Sequence, residues 1–386
     1  MDKFEITGGR VIFPDGIREA VVRVENGKIA YVGSERKGYD AVDAGGRYVS
    51  PGFIEMHIHG GGGYDFLDAS AEAFDAIKAA HRPHGMTAVY ATTAASSDEE
   101  LYEFLAAFNE YKAAGDTFYE GIHLEAPYLN PEMAGAQDPA FIIPPSVEHC
   151  KGLLDASPYI RRVTIAPEMP GAFALGDFLA EHGILPSIGH TKALMETVEE
   201  ARRHGFTHFT HFVSAMTALP KVNGLRAAGA FEAGLYFDDM TVELIADGVH
   251  LPLGLLALVY KVKGPDRIAL TTDAMSVAGL DVKGGKLGSR RHGQACIIED
   301  GVAKLPNHTL AGSIATADRL ARTMKKVGVP LHEIVRMLTL NTARIMGISY
   351  KKGSLEAGKD ADIVIFDEDV RLSHSIVGGE IETYAV

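Results

Sequence analysis

The pattern of apolar and polar positions along the chain changes near residue 50. Before that point, short stretches rich in β-branched and aromatic residues are separated by turn signals at Gly8-Gly9 and Asn26-Gly27, and the second of these favours a hairpin. The stretches read "FEITGGRVIF", "EAVVRVENGKIAYVG" and "RYVS". The opening of the chain is therefore predicted to form short strands joined by turns.

Beyond residue 50, short β-rich runs alternate with amphipathic helical segments. Helices are predicted at 98–114, with Asp98 as the N-cap, and at 192–204. The β-rich runs are eight in number: "GFIEMHI", "TAVYATT", "YEGIHLE", "RRVTIAP", "ILPSIGH", "HFTHF", "TVELIAD" and "RIALTTD". Eight β-then-α units predict an α/β fold, a closed parallel (β/α)8 barrel. The alternative is an open doubly wound sheet, but no G-x-G-x-x-G follows an early strand.

The end of the chain returns to strand and turn chemistry in "KKGSLEAGKDADIVIFDEDVRL". We expect both ends of the chain to meet in one small β domain made of residues 1–50 and 346–386. The barrel is then predicted to occupy residues 51–345. A chain of 386 residues suits this division, because it exceeds one average domain.

Charge and composition narrow the classes of function. The net charge is −14, from 37 basic and 51 acidic residues, and there is no run of Lys or Arg. Nucleic acid is therefore an unlikely partner. No signal peptide is evident, and no window approaches the ~20 apolar residues of a membrane span. The two cysteines imply no disulfide framework. We expect a cytoplasmic enzyme without a membrane partner.

A parallel barrel places its functional side chains at the carboxyl ends of its strands. In this chain, residues able to bind a metal or transfer a proton follow that rule: His57, His59, Glu125, His190, His211, His250 and Asp273. His57 and His59 share one face of an extended strand, so both can point toward one ion. Sets of His and carboxylate ligands suit Zn²⁺ or Fe²⁺ with open positions for water and substrate.

Such a metal set points to hydrolysis. A bound divalent cation lowers the pKa of water to about 7 and polarises a carbonyl. Asp273 would then act as the general base and afterwards as the acid, although an Asp after "TTD" can also cap a helix. The remaining histidines, including His123 beside Glu125, are interpreted as structural. No G-x-S-x-G, P-loop or Cys-x-x-Cys competes for the role.

Characteristic motifs run along nearly the whole chain: "PGFIEMHIHG", "GIHLEAPYLNP", "SIGHT", "THFVSAMTAL", "IADGVH", "TTDAM", "TLAGS" and "LNTARIMGI…KGSLEAGKDADIVIFD". They resemble the motifs of the amidohydrolase superfamily, and more closely those of the N-acetylglucosamine-6-phosphate deacetylases. This resemblance implies a distorted (β/α)8 barrel, a small β-sandwich built from both termini, and a homodimer.

The resemblance also implies roles for individual residues. The main metal site falls on Glu125, His190 and His211, and the catalytic aspartate on Asp273. His250 matches a histidine that contacts the substrate. His57 and His59 match a pair that some members use for a second metal, which Glu125 would bridge. One or two ions of Zn²⁺ or Fe²⁺ are thus expected per subunit.

Three departures from the family pattern concern the substrate. Gln137 replaces a histidine that helps to polarise the acetyl carbonyl. Ser214, followed by Ala215, replaces an asparagine near the substrate phosphate. The family arginine that reaches a phosphate across the dimer interface is missing, although Lys221 and Arg226 lie nearby in sequence. A second ion at His57 and His59 could supply the polarisation that Gln137 does not.

The predicted function is metal-dependent removal of acetyl from an N-acetylated amino sugar, N-acetylglucosamine 6-phosphate or a related N-acetylhexosamine. An alternative is hydrolysis of another amide, such as an N-acyl amino acid, a cyclic amide or an isoaspartyl dipeptide. A barrel that binds a sugar phosphate without turnover would be expected to lack ligands or the aspartate. Since all of them are present, an enzyme is favoured.

Overall fold

A computed structural model describes residues 2–385 of the chain. Its first strands are β1 (Lys3–Phe13), β2 (Gly16–Glu25), β3 (Lys28–Gly33), β4 (Ala41–Asp43) and β5 (Tyr48–Pro51). The strands that follow are β6 (Phe53–Ile58), β7 (Gly60–Gly61), β8 (Tyr64–Asp65), β9 (Met86–Thr93), β10 (Tyr119–Leu124), β11 (Ile160–Ile165), β12 (Leu185–Ile188), β13 (His208–Phe209), β14 (Lys221–Val222), β15 (Leu225–Arg226), β16 (Thr241–Ile245) and β17 (Ile268–Thr271). The last are β18 (Gly284–Leu287), β19 (Gln294–Glu299), β20 (Val302–Lys304), β21 (Ile363–Phe366), β22 (Leu372–Val377) and β23 (Glu380–Thr383).

Helices fill most of the connections between the strands of the central part of the chain. They are α1 (Ala71–His81), α2 (Asp98–Ala113), α3 (Val147–Ala156), α4 (Ala172–Glu181), α5 (Met195–Arg203), α6 (Ala230–Tyr236), α7 (Leu253–Lys263), α8 (Ala317–Val327), α9 (Leu331–Leu338) and α10 (Leu340–Ile345). Among the described residues, no helix is both long and apolar enough to cross a membrane.

Parallel strands form a nearly closed barrel in the order β17-β16-β13-β12-β11-β10-β9-β6. The outermost strands of this order, β6 and β17, meet through their following residues. The Asp273 N–H donates to the His57 carbonyl at 3.0 Å, and the His59 N–H donates to the Ala274 carbonyl at 2.9 Å. An open doubly wound sheet would keep these edges apart, so the predicted barrel and its eight strands are confirmed.

Helix α2 differs from the prediction at its first turn. The N-cap is Ser97, whose side chain accepts from the Glu100 N–H at 3.3 Å, so the prediction of Asp98 as N-cap is wrong. Asp98 is the first helical residue instead, and its carboxylate lies 3.1 Å from His149 Nε2. Both residue types are good caps, and a shift of one residue lies within the usual uncertainty of a helix end.

Strands from both ends of the chain form a second sheet in the order β23-β22-β21-β5-β1-β2-β3, with β4 paired to β1. The sheet folds back on itself, because the Ile29 N–H of β3 donates to the Lys359 carbonyl just before β21 at 2.9 Å. The fold encloses an apolar core that includes Phe4, Val22 and Ile363. The predicted β layer from both termini is thus confirmed, while the domain boundaries after residues 50 and 345 stay a prediction.

Candidate active site

The side chains predicted to bind metal converge at the carboxyl ends of the barrel strands. His57 lies in β6, Glu125 directly follows β10, and His190 and His211 each follow their strands, β12 and β13, by two residues. With His59 and Asp273 they are between 0 and 7 % exposed. The strand-end pattern of the sequence therefore does bring these six side chains into one buried cluster.

Three of these residues have left-handed backbone: His190 at φ 46°, His211 at φ 27° and Asp273 at φ 48°. This region is uncommon for residues other than glycine and costs of order 1–3 kcal/mol each when the surroundings impose it. Such backbone turns the chain sharply at the end of a strand. This strained backbone indicates that the directions of the three side chains are constrained by the site.

Glu125 lies between two groups of imidazoles. Its Oε1 is 3.2 Å from His190 Nε2 and 2.9 Å from His211 Nε2, and its Oε2 is 3.2 Å from His59 Nε2. His57 Nε2 is 3.4 Å from Oε1. Glu125 thus belongs to two groups of ligands, one with His57 and His59 and one with His190 and His211. The ligand atoms of each group lie within 4.8 Å of one another. One carboxylate is thus placed to serve two cations.

The donor atoms fit a divalent cation. His57 Nδ1 is bound to Glu243 Oε1 at 2.7 Å and His190 Nδ1 to the Met133 carbonyl at 2.8 Å, which leaves both Nε2 atoms facing the cluster. His57 Nε2 and Asp273 Oδ1 are buried and have no hydrogen-bond partner among residues 2–385. Buried polar atoms rarely stay unsatisfied, and imidazoles held through the far nitrogen are typical metal ligands.

Burial and the neighbouring carboxylates shift the pKa values of the histidines in the cluster. Burial opposes protonation of His59, but the carboxylates of Asp273 and Glu125, each 3.2 Å from its Nε2, outweigh burial and raise the pKa of His59 to about 10. The same carboxylates, with Glu243, raise the pKa of His57 against its burial. The pKa of His211 is lowered, because burial outweighs its bond to Glu125. A proton and a cation therefore compete at His57 and His59, but not at His211.

From these shifts we predict that metal binding at His57 and His59 releases protons at neutral pH. A group with a raised pKa holds its proton below that pKa, so affinity for the cation should rise with pH toward about 10. Calorimetric titration of metal-free protein in two buffers of different ionisation enthalpy measures the release. Metal uptake without proton release, or a His59→Asn variant that releases as many protons as the native chain, would contradict this.

Buried charges beneath the cluster were missed by the sequence analysis. Glu243 in β16 accepts from His57 Nδ1 at 2.7 Å, from the His211 N–H at 2.9 Å and from Arg162 Nη1 at 2.7 Å. Glu55 in β6 accepts from the His57 N–H at 3.0 Å and the Thr272 N–H at 2.8 Å, and burial raises its pKa to about 7. The available signal was a charged residue inside an apolar strand run, as in "TVELIAD".

Glu243→Gln is expected to weaken metal binding by about 10- to 100-fold, because the carboxylate orients His57 and fixes the backbone of His211. It also leaves Arg162 buried without its ion pair, and breaking such a pair costs about 3–5 kcal/mol. Metal titration and thermal unfolding of the variant measure the two effects. Native metal affinity in a correctly folded variant would exclude the orienting role of Glu243.

A cavity of about 520 Å³ opens in front of the cluster and is lined by Gln137, Ser214, Ala215 and His250 among others. The Gln137 amide donates to Glu125 Oε2, and its own oxygen accepts from the Ala95 N–H at 2.7 Å, which fixes the orientation of the amide. His250 Nδ1 is bound to Asp247 Oδ2 at 2.8 Å.

Lys221 and Arg226 lie elsewhere. They pair with each other across the short exposed hairpin of β14 and β15, and neither is among the described residues that line the cavity. The Arg226 guanidinium donates to the Leu219 carbonyl at 3.0 Å. Within one protomer, these two side chains are therefore not part of the cavity that the other predicted residues share.

Comparisons with known proteins agree with this architecture. The model of the amidohydrolase family matches residues 48–381. N-acetylglucosamine-6-phosphate deacetylase of Lysinibacillus sphaericus is 33% identical over 366 residues, covering 93% of this chain and 92% of the relative, and that of Bacillus subtilis (strain 168) is 33% identical over 376 residues, covering 95% and 93%.

Solved structures give the same result. N-acetylglucosamine-6-phosphate deacetylase from Pasteurella multocida superposes with a TM-score of 0.92 at 28% identity, covering 99% of this chain and 100% of that one. A mutant of the Mycobacterium smegmatis enzyme in complex with N-acetyl-D-glucosamine-6-phosphate gives 0.91 at 30% identity, covering 99% of both. The barrel, the strand-end cluster and these matches together show that the chain belongs to the amidohydrolase family.

Proposed function

We propose that this chain is a metal-dependent deacetylase that hydrolyses the N-acetyl amide of an amino sugar, N-acetylglucosamine 6-phosphate or a related N-acetylhexosamine. The observation that carries the proposal is Glu125 held between two pairs of imidazoles, with Asp273 Oδ1 3.2 Å from His59, at the floor of a sugar-sized cavity. The deacetylases among the similar proteins support the choice of amide.

Glu125, His190 and His211 would hold the main ion, and His57 and His59 with Glu125 a second. A divalent cation in such a site acidifies a water molecule and polarises the acetyl carbonyl. Zn²⁺ or Fe²⁺ suits the donor set of imidazoles and carboxylate. This arrangement would need no carboxylated lysine, because Glu125 belongs to both groups of ligand atoms.

Asp273 would transfer the proton. Burial opposes its ionisation, but His57 and His59 outweigh burial and lower its pKa, so the carboxylate is ionised and can accept the proton of the attacking water. Oδ1 lies 3.2 Å from His59 Nε2 but has no hydrogen-bond partner in the described chain, so it can take up this proton. The same oxygen would then give the proton to the amine nitrogen as the amide bond breaks.

Gln137 and His250 would orient the substrate. The Gln137 amide has a second N–H for the acetyl oxygen but carries no charge. The cation at His57 and His59 would therefore supply most of the polarisation. His250, Ser214 and Ala215 also line the cavity, and His250 would contact the sugar.

A homodimer is part of the proposal. Leu219 and Leu225, beside and within the hairpin of β14 and β15, are 58 and 74 % exposed, and Tyr236 at the end of α6 is 70 % exposed. Large apolar side chains with this exposure suggest a covered surface. Sedimentation velocity of the purified protein tests the oligomeric state. A monomer at micromolar concentration would exclude it. The cytoplasmic location stays a prediction.

The activity is tested by acetate release from a panel of N-acetylhexosamines and their 6-phosphates, with Zn²⁺, Fe²⁺ and Mn²⁺ supplied separately. N-acyl amino acids, cyclic amides and isoaspartyl dipeptides form the second panel. Release from the sugar panel is expected. Turnover of the second panel alone would favour the other amidohydrolase activity, and turnover of neither with a metal-loaded protein would refute the proposal.

A further inference from the structure

Within one protomer, the wall of the cavity carries no Lys or Arg side chain among residues 2–385. Apart from the predicted ligands and Asp273, the ionisable side chains of the described residues that line it are Glu132 and His250. Much of the remaining wall is apolar, with Val213, Ile245 and Leu287 among its residues. This lining suits a substrate whose sugar carries no charge.

The basic residues closest in sequence to the cavity-lining residues form contacts at the rim of the cavity or outside it. Lys192 Nζ lies 2.6 Å from the carboxylate of Glu132 at the rim, so its charge is compensated there. Lys221 and Arg226 are on the exposed hairpin outside the cavity lining, and Arg226 is bound to a backbone carbonyl. Phosphate sites normally supply Arg, Lys or a helix N-terminus, because an uncompensated buried anion is costly.

His250 is arranged to recognise a hydroxyl. The carboxylate of Asp247 accepts from the N–H groups of Val249 and His250, both at 2.8 Å, and lies 2.8 Å from His250 Nδ1. The ring therefore keeps its Nδ1 hydrogen toward Asp247. Its Nε2 is left for the cavity, where it can form a hydrogen bond with a hydroxyl of the sugar.

We propose that the substrate is an uncharged N-acetylhexosamine, with a free hydroxyl where the relatives' named substrate carries the 6-phosphate. This inference rests on the proposed deacetylase function. A cavity of about 520 Å³ falls within the size range of small-molecule sites and accommodates one monosaccharide. The net charge of −14 adds a field that disfavours the approach of a phosphate dianion.

The test compares kcat/KM of the metal-loaded protein for N-acetylglucosamine and for its 6-phosphate. The proposal predicts a kcat/KM for the uncharged sugar that equals or exceeds that for the phosphate. It also predicts that kcat/KM for the uncharged sugar is unchanged between roughly 0.01 and 1 M salt, because no long-range attraction is involved. A higher kcat/KM for the phosphate overturns the proposal.

The same data separate this inference from the function on which it rests. Acetate release from neither sugar refutes the deacetylase itself, whereas release with a preference for the phosphate refutes the neutral substrate alone. In that second case, a Lys221→Ala/Arg226→Ala variant that loses the preference would assign the missing cation to the hairpin of a second copy of the chain.

Discussion

Asp273→Asn is expected to lower kcat by roughly 10²- to 10⁴-fold, the range that a positioned general acid–base contributes. The amide keeps the size of the side chain but cannot accept the proton of water or return it to the amine. KM should change little, because Asp273 is proposed to act on the proton and not to hold the sugar. Steady-state kinetics of acetate release measures both constants.

Metal content is the control for this variant. Asp273 belongs to neither of the two groups of ligand atoms centred on Glu125, so the variant should bind as much metal as the native protein. The acid limb of the pH–rate profile should also disappear with the carboxylate. A variant that keeps metal and native kcat would show that another group transfers the proton.

Glu125→Gln is expected to remove both ions and with them all measurable acetate release. Glu125 is the residue that the two ligand groups share, and its oxygens lie between 2.9 and 3.4 Å from the four imidazoles. Loss of an outer-shell partner already costs 10- to 100-fold in metal affinity, so loss of a shared ligand should cost more than about 100-fold. Metal analysis after dialysis measures the loss.

Matched variants make this prediction specific. His190→Asn and His59→Asn should each remove one ion, because each residue belongs to one group. Glu132→Gln removes a carboxylate from the cavity rim, where it pairs with Lys192, and should leave the metal content unchanged. A Glu125→Gln protein that retains one full equivalent of metal would show that the two sites are independent.

Whether an ion at His57 and His59 supplies the polarisation that Gln137 does not can be tested separately. A His57→Ala/His59→Ala variant should lose one ion and most of its activity, since Gln137 offers an N–H but no charge to the acetyl oxygen. Full activity with unchanged metal content in this variant would remove the argument for a second site.

The sequence predicted the barrel and its strand-end cluster because both obey simple spatial rules. Parallel strands with intervening helices close in one way, and their carboxyl ends then share one face. His57, Glu125 and His211 could therefore be grouped from the sequence alone. The ligand atoms of each group lie within 4.8 Å of one another partly because the chain turns through left-handed backbone at residues such as His211. The apolar and polar pattern of the sequence does not predict such turns.

Features that depend on long-range packing were not predictable in the same way. Glu243 and Arg162 pair between strands that are far apart in sequence, and only the closed barrel brings them beneath His57. The small antiparallel sheet of β18, β19 and β20, which brings Leu287 to the cavity, was not predicted from the sequence between the barrel strands and the last helices. The position of Lys221 outside the cavity was not predictable either, because its place in the sequence close to Ser214 did not bring it into the cavity.

Glu125 is proposed to organise a metal centre that deacetylates an amino sugar. The decisive experiment is titration of the metal-free protein with Zn²⁺, following acetate release from N-acetylglucosamine and from its 6-phosphate. We expect no release without metal and release that grows with each equivalent bound until two per protomer are reached. Metal-free protein that releases acetate as fast as the loaded protein would contradict it.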